Sequence, residues 1–371
     1  MNTAEFSMKT AFLLLLLTVT ASLFAQKPEL WGDRPSRGGM QIFHWQDGKV
    51  TDLTPARETW QLWGARVLPT PKDSPSKESA PVELWGAVKV SQGWKLWHGQ
   101  ITPQQTQISP QVLPRIFRDL KAMDYAGTYT ALVTDEGQGP QLFLLSPHGT
   151  NEWAWEQNVT ITTVAVLPSG QVAVAGSQKH GPGWINARPF LWINGHQQPA
   201  PTGWRGLLTG LSAGPEGFQA VGRGAPLTQE PVQTLWYHQG QWLTLNVPSD
   251  GNFADFLGEV SEKKTALTKA PPTNTPTKNP VIFGTLAVGT PGKQAFSLKP
   301  WLWQKGKLTF WDTPHHLTAY GPAGFGSSAA ICGVFATDHG SELRLWQGKG
   351  GPGELIKGWP AQAVPRALTW H

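Results

Sequence analysis

A Leu-Trp pair followed by a short turn recurs along the chain, and it constrains the fold more than any other feature. The segment "RPFLWINGHQQPAP" (188–201) returns as "QTLWYHQGQWLTLNVP", "KPWLWQKGKLTFWDTP" and "WKLWHGQITPQQTQISP". The marker positions are Trp45, Trp97, Leu144 (a degenerate copy), Trp192, Trp236, Trp303 and Trp346, at intervals of 52, 47, 48, 44, 67 and 43 residues. Periods of about 40–50 residues between strand-like segments are typical of four-stranded propeller blades.

The composition favours strands joined by tight turns. The 371 residues include 41 glycines and 32 prolines, without a collagen-like period. Turn residues recur roughly every 8–12 positions between runs of Val, Ile, Leu, Phe and Trp, which is the pattern of an all-β chain. Hydrophobic residues make up 39%, enough to build a core. We therefore predict an all-β fold, a seven-bladed β-propeller.

One complete unit shows the expected order of strands within a blade. "ITTVAVLPSG" (161–170) reads as strand A and its turn, "QVAVAGSQ" as strand B, "RPFLWI" as strand C, and the outer strand D follows "NG". Asn-Gly favours a two-residue hairpin because both positions tolerate positive φ. Equivalent turns are expected at Asp47-Gly48, His98-Gly99, Gln239-Gly240 and Lys305-Gly306. In strand C the marker side chains should fill the space between neighbouring blades.

Both ends of the predicted domain resemble incomplete blades. "QKPELWGDRP" reads as strand B without a preceding strand A, and "AVPRALTWH" as strand A with nothing after it. The C-terminal strand is therefore predicted to complete the first blade and close the ring, which removes open sheet edges. Two segments rich in Pro, Thr, Ser and Lys (69–81 and 261–280) are predicted to be mobile loops between strands A and B of the second and sixth blades.

Residues 1–25 have the pattern of a signal peptide. Lys9 precedes an apolar run from Ala11 to about Val19, with cleavage expected after Ala25 or, alternatively, after Ala21. The run is shorter than the roughly 20 residues that a membrane span requires. The sequence thus predicts export to the periplasm or the outside, with residues 26–371 forming a single propeller domain and no membrane span.

The charge and the cysteine content narrow the classes of partner. Cys332 is the sole cysteine, so an intrachain disulfide is excluded, and "AAICGVFA" places it in a predicted buried strand. The net charge of +5 is compatible with an anionic partner such as a polysaccharide or an envelope surface. Basic residues are scattered, which disfavours nucleic acid. The expected partner is an envelope or extracellular protein or glycan, and the sequence does not indicate an oligomeric state.

"RPFLWINGHQQPAP" and "KPWLWQKGKLTFWDTP" resemble the HAF repeats of extracellular bacterial proteins. Those repeats carry a His-Ala-Phe-Leu-Trp-like strand, a turn ending in Gly and an apolar tail. The similarity covers some 15 residues of each unit, and Arg188-Pro189 and Lys299-Pro300 replace the His-Ala of the family. The resemblance implies an exported β-propeller. It carries no activity and no functional residue to this chain.

Candidate ligand-binding residues lie in the predicted connections between strands B and C. In propellers these connections share one face with the D-to-A connections, and ligands usually bind there. The candidates are Arg37, Asp135, His180, Trp184, Arg223 and His339. Trp184 lies off the marker position, so it could stack on a sugar or another flat ligand. Asp135 lies in a Thr-Asp-x-Gly segment, which is also an ordinary turn motif.

No motif for catalysis, metal binding or a cofactor emerges. His315 and His316 would point to opposite sides of a strand, and "SDGNFAD" (249–255) lacks the closing Glu of a calcium loop. The leading hypothesis is an exported, non-catalytic module that binds a protein or glycan through its B–C loops. The alternative is a carbohydrate-active lyase or hydrolase with its site at the channel mouth. A propeller quinone dehydrogenase is disfavoured because the chain lacks an adjacent cysteine pair and an eight-fold tryptophan repeat.

Overall fold

A computed structural model describes most of the chain from residue 28 onward. The described residues are 28–68, 81–102, 111–181, 186–214, 217–227, 232–245, 252–259, 280–289, 296–304, 307–311, 317–320, 330–337, 340–347, 353–360 and 362–370. The predicted signal peptide lies outside them, as do the two predicted mobile loops apart from Pro81 and Pro280. Within these ranges there is no helix long and apolar enough to cross a membrane.

The described chain is built from β-strands. In chain order they are β1 (Pro28–Ser36), β2 (Gly39–Gln46), β3 (Lys49–Asp52), β4 (Trp60–Val67), β5 (Val82–Val90), β6 (Gly93–Ile101), β7 (Gln111–Phe117), β8 (Leu120–Ala126), β9 (Tyr129–Asp135), β10 (Pro140–Ser146), β11 (Gly149–Ala154), β12 (Val159–Val166), β13 (Val172–Lys179) and β14 (Ala187–Ile193). They continue with β15 (His196–Gln198), β16 (Trp204–Gly214), β17 (Gly217–Pro226), β18 (Gln233–His238), β19 (Gln241–Leu245), β20 (Asn252–Glu259), β21 (Pro280–Gly289), β22 (Phe296–Gln304), β23 (Lys307–Phe310), β24 (Leu317–Tyr320), β25 (Ala330–Thr337), β26 (Gly340–Gln347), β27 (Glu354–Leu355) and β28 (Val364–Trp370).

These strands form seven four-stranded antiparallel sheets in the described part of the chain. Six sheets use four consecutive strands, from β4–β7 (sheet 2) to β24–β27 (sheet 7), and sheet 1 has the order β28-β1-β2-β3. The all-β prediction and its four-strand unit are confirmed. β28 pairs with β1 along its length, for example Leu368 with Leu30, so strands from both ends of the described chain lie in sheet 1.

Three of the five predicted two-residue C–D hairpins are present, and one prediction is wrong. Positive φ occurs at both positions of Asp47-Gly48 (50° and 81°), Asn194-Gly195 (47° and 93°) and Gln239-Gly240 (49° and 79°). His98-Gly99 instead lies inside β6, where Gly99 pairs with Leu84 of β5, so the chain runs straight on to Ile101. Lys305-Gly306 lies outside the described residues.

The marker tryptophans pack between sheets, as their spacing predicts. The Trp192 ring in sheet 4 meets the Trp153 ring of sheet 3 edge-on at 5.1 Å, and Trp97 is 1% exposed. Trp236 differs, because its ring lies 5.7 Å from Trp303 in the following sheet.

The register of strand C explains this difference. In sheet 4 the strand-B glycine Gly176 pairs with Phe190, and Trp192 lies two residues after Phe190. In sheet 5 the corresponding glycine Gly222 pairs with Leu235, and Trp236 lies only one residue after Leu235. Successive side chains on a strand alternate between its faces, so the two indoles point in opposite directions.

Each A–B strand pair contains a register shift, which places one extra residue on strand A. In four sheets the strand-B residue beside this bulge is a glycine: Gly32, Gly86, Gly176 and Gly222. A Cβ at any of them would collide with a backbone carbonyl of strand A; at Gly32 this is the Val364 carbonyl of β28, at 2.5 Å. Glycine is therefore required by the close approach of the two strands.

Polar side chains join neighbouring sheets at several points. Asp33 of β1 accepts a hydrogen bond from the Leu62 N–H of β4 at 2.9 Å. The hydroxyl of Thr162, the extra residue of the β12 bulge, lies 2.7 Å from the Leu208 carbonyl of β16. Trp45 Nε1 donates to the Lys357 carbonyl at 3.0 Å, which links sheet 1 to the segment after β27.

Candidate functional site

At one end of the sheets, neighbouring connections pack against each other in pairs. The turn between β1 and β2 is held to the β3–β4 connection, because the Ser36 hydroxyl donates to the Ala56 carbonyl at 2.7 Å. The turn between β9 and β10 is held to the β11–β12 connection, because Gln157 Nε2 donates to the Gly137 carbonyl at 2.7 Å. We use the name B–C face for this end of the sheets. It comprises the described connections 37–38, 53–59, 118–119, 136–139, 155–158, 180–181 and 186.

A repeated backbone hydrogen bond anchors the end of strand B beneath this surface. The N–H of a residue at the end of strand B donates to a carbonyl just before strand A of the same sheet. The pairs are Lys89 to Thr59 (2.8 Å), Asp135 to Asp119 (3.2 Å), Lys179 to Asn158 (2.7 Å) and Leu227 to Gly203 (2.7 Å). The B–C face is thus built from loops that are fixed to their sheets at several points.

An open cleft of about 510 Å³ lies on the B–C face at the end of sheet 3, beside the connection that enters it from sheet 2. It is lined by Arg118, Asp119, Asp135, Glu136 and Gly137. Asp119 pairs with Lys121 Nζ at 2.9 Å, and Asp135 Oδ1 accepts the Gly137 N–H at 3.1 Å. Arg118 and Glu136 are exposed. The cleft therefore offers a guanidinium and a carboxylate to a ligand, on a backbone already fixed by hydrogen bonds.

The structure brings one of the six predicted residues into this cleft, Asp135. Arg37 lies elsewhere on the B–C face, exposed in the β1–β2 turn. His180 is also exposed, and its N–H donates to the Asn186 carbonyl at 2.9 Å, which closes the base of the β13–β14 loop. Trp184 and His339 lie outside the described residues.

Arg223 is not in a loop as the sequence analysis expected. It lies in the body of β17, opposite Leu207 of β16 and Thr234 of β18. The reason is that β16 and β17 stay paired as far as Trp204 and Pro226, so the strand extends through the Gly-rich segment.

Sequence reasoning missed Arg118, Asp119 and Glu136. Glu136 adjoins a predicted residue, and the pair Arg118-Asp119 stands between two strand-like runs. These two positions, next to a predicted residue and between strand-like runs, were the sequence features that could have indicated the cleft.

A second polar cluster lies at the opposite end of sheets 2 and 3. Arg66 pairs with Glu83 and donates to the Tyr125 carbonyl at 3.1 Å. The imidazole of His98 stacks on the Tyr125 ring at 4.9 Å. Desolvation lowers the pKa of His98, and the negative charge of Glu83, which raises it, only partly offsets this. These contacts tie strands of sheet 2 to β8 of sheet 3.

The Asp124 carboxyl extends this cluster towards sheet 4, because Oδ2 accepts the Val166 N–H at 2.8 Å. Burial raises the pKa of Asp124 from 3.8 to about 6. Hydrogen bonds from the Val166 and Tyr125 N–H groups and the charge of Arg66 lower this pKa and partly offset the effect of burial. Both groups that donate hydrogen bonds to the Asp124 carboxyl are backbone amides of β-strands, Val166 in β12 and Tyr125 in β8. These features indicate a structural role for Asp124.

Comparison with known proteins yields distant similarities of structure alone. No family model matches the chain, and no curated protein matches it. It is similar to a functionally unknown protein from Desulfotomaculum acetoxidans (TM-score 0.46, 11% identity, 92% of this chain and 99% of that one). It is similar also to the WD40 domain of Toxoplasma gondii coronin (0.45, 9%, 91% and 78%) and to apo AztD from Citrobacter koseri (0.43, 8%, 93% and 98%). At these values no inference about function rests on the similarities, and the resemblance to HAF repeats stays a prediction.

Proposed function

We propose that the seven sheets are the blades of one β-propeller whose ring is closed by β28. Contacts between successive sheets support this arrangement. The pairs are Asp33–Leu62 (sheets 1 and 2), Arg66–Tyr125 (2 and 3), Asp124–Val166 (3 and 4), Thr162–Leu208 (4 and 5), Trp236–Trp303 (5 and 6), β22–β24 (6 and 7) and Trp45–Lys357 (sheet 1 with the segment after β27). In such a ring the B–C connections of all seven blades share one face.

On this proposal, the chain is an exported, non-catalytic binding or scaffold module that binds a protein or glycan through the B–C face. The observation that carries the proposal is the cleft lined by Arg118, Asp119, Asp135 and Glu136. Its backbone is fixed by the Asp135–Asp119 and Gln157–Gly137 hydrogen bonds, so little ordering is required on binding. At the other end of the sheets, the C–D turns Asp47-Gly48, Asn194-Gly195 and Gln239-Gly240 have only two residues each.

The acids of the cleft favour binding over acid–base catalysis. A catalytic pair of carboxyl groups needs one member with a raised pKa, held in a desolvated pocket beside an ionised partner. Asp119 and Asp135 are instead engaged by Lys121 and by a backbone amide, in a cleft open to solvent. Asp124, whose pKa burial raises to about 6, faces sheet 4 through Val166.

Export is part of the proposal and rests on residues 1–25. The mature chain is expected to begin at Gln26. N-terminal sequencing of the protein recovered from the periplasm or medium tests this point. Leu14→Arg/Leu15→Arg should hold the precursor in the cytoplasm, because charges in the apolar run block recognition of the signal. Export of the variant at the same level as the parent protein contradicts the assignment.

The binding proposal is tested on a glycan array and on a panel of purified envelope proteins with residues 26–371. Arg118→Ala/Glu136→Ala removes one charge of each sign from the cleft, and Asp47→Asn/Lys49→Ala makes the matched change at a C–D turn. We expect specific binding that weakens at least ten-fold in the cleft variant and less than two-fold in the control. Equal affinities of the two variants would place the site elsewhere. Absence of any specific ligand would remove the support for a binding module.

A further inference from the structure

We propose that Arg37 and Arg57 form an anion-binding subsite on the B–C face at sheets 1 and 2, which holds a carboxylate or sulfate group of an acidic glycan. This inference rests on the proposed function and names a ligand class for it. The subsite is distinct from the cleft at Arg118, since it is built by the β1–β2 turn and the β3–β4 connection.

The two arginines are brought together by their backbones. The Ser36–Ala56 hydrogen bond holds the β1–β2 turn against the connection that carries Arg57. Gly38 approaches so closely that a Cβ on it would lie 3.1 Å from the Arg57 Cα. Gly39 packs equally tightly, because its Cβ would lie 2.5 Å from the Glu58 carbonyl. The backbone that follows Arg37 thus lies against the backbone at Arg57 and Glu58, which brings the two arginines to adjacent positions on the surface.

The nearby carboxylates are already engaged by other groups. Asp52 pairs with Arg34, and Glu58 Oε2 accepts the Trp60 Nε1–H at 2.9 Å. Arg37 and Arg57 are both exposed, and neither has an ion-pair or hydrogen-bond partner among the described residues. Two guanidinium groups on adjacent segments repel each other, so an anion between them relieves an unfavourable charge pair.

A third cation adjoins this pair. The N–H of exposed Lys89 in β5 donates to the Thr59 carbonyl at 2.8 Å, so the Lys89 backbone lies beside Thr59, two residues after Arg57. The planar guanidinium fork can donate two parallel hydrogen bonds to two oxygens of one anionic group, and both a carboxylate and a tetrahedral sulfate offer such a pair of oxygens. Because a single exposed ion pair contributes little, the occupant must present several charges at once. A glycan with an acidic group on each residue meets this requirement, and the net charge of +5 favours its approach.

The subsite is tested with three defined probes and two variants of residues 26–371. The probes are oligogalacturonate (carboxylate), dextran sulfate (sulfate) and neutral dextran. Arg37→Ala/Arg57→Ala removes the subsite, and Lys49→Ala/Lys307→Ala removes two exposed positive charges at the first residues of β3 and β23. Thermal unfolding of each variant establishes that it is folded.

We expect the parent protein to bind at least one acidic probe and not neutral dextran. The arginine variant should lose ten-fold or more in affinity and show a weaker dependence on salt, with less than a two-fold loss in the control. The probe that binds identifies the group as carboxylate or sulfate. Equal losses in both variants overturn the inference, because binding then follows net charge alone. Binding of other glycans or proteins that Arg118→Ala/Glu136→Ala weakens, with neither acidic probe bound, also overturns it and leaves the proposed function standing.

Discussion

The carboxylate of Asp124 in β8 accepts a hydrogen bond from the Val166 N–H in β12 at 2.8 Å and so joins sheets 3 and 4. Burial raises the pKa of Asp124 from 3.8 to about 6, and the Arg66 charge together with the backbone hydrogen bonds only partly offsets this. The folded protein therefore binds the Asp124 proton more tightly than the unfolded chain does. The joint between the two sheets is sensitive to pH for this reason.

The free energy of unfolding should fall as the pH rises from about 4 to about 6. A raised carboxyl pKa favours the folded state while the group is protonated, and the advantage is lost once the pH exceeds the folded-state pKa. The change has an upper limit of roughly 3 kcal/mol. Asp33, whose pKa desolvation also raises, acts in the same direction.

Asp124→Asn isolates the contribution of Asp124. Its amide oxygen can still accept the Val166 N–H but has no proton to lose. Urea unfolding at pH 4, 5, 6 and 7 should show a flatter profile for the variant, with its largest gain over the parent protein at pH 7. Parallel profiles for the two proteins would show that Asp124 titrates normally.

Gly176→Ala should destabilise the protein by about 2–4 kcal/mol. The added Cβ would strike the Thr160 carbonyl, so the inner strand of sheet 4 must move. Gly195→Ala is the matched control in the same sheet, because its Cβ meets open space and the cost comes from its positive φ alone, about 1–2 kcal/mol. Chemical unfolding measures both. A loss in Gly176→Ala no larger than in Gly195→Ala contradicts the close approach of the strands.

Trp192→Ala should cost about 3–5 kcal/mol, the usual range for removal of a buried indole. Trp192 is 5% exposed and packs edge-on against Trp153 of the preceding sheet and Trp155 of the connection that follows it. Trp242→Ala, on an outer strand and hydrogen-bonded to the Pro199 carbonyl, should cost less than half as much. Near-ultraviolet circular dichroism should lose more signal in the first variant. A similar cost for both would mean that Trp192 is not a core residue.

Arg366→Ala should cost about 1–3 kcal/mol at pH 7, because it leaves the buried Asp33 carboxylate without its ionic partner. Arg366 Nε lies 2.7 Å from Asp33 Oδ2, and the Asp33 side chain is 2% exposed. Asp33→Asn/Arg366→Ala should recover part of this loss. Arg34→Ala, which removes an exposed partner of Asp52, serves as the control and should change stability by less than about 1 kcal/mol. An equal effect of both arginine variants would speak against a buried ion pair.

Much of the fold could be predicted because its signals are local. The spacing of the marker tryptophans identified the four-strand unit, and Asn194-Gly195 identified a hairpin, since each depends on only a few neighbouring residues. The hairpin predicted at His98-Gly99 was wrong, because both residues continue to pair with β5. A Gly after a polar residue does not by itself force a turn. The direction of Trp236 was also not predictable, since one residue of register decides which sheet it faces.

The candidate site was harder to predict because it depends on contacts between distant residues. Asp135 could be named from its turn motif, but its cleft partners Arg118 and Asp119 come from the preceding connection and meet it through a backbone hydrogen bond. Arg223 was misplaced because glycines that read as a loop are needed inside β17, where strands approach closely. A sequence pattern reports neither kind of contact.

The measurement that tests the central claim most directly is amide hydrogen exchange of residues 26–371, followed in peptides that cover β28. In the proposed ring β28 is the inner strand of sheet 1, bonded to β1 and shielded by neighbouring sheets. Its amides should exchange as slowly as those of the interior strand β13, and far more slowly than those of the outer strand β15. Exchange of the β28 amides within seconds, with β1 behaving as an edge strand, would contradict ring closure and the single B–C face that depends on it.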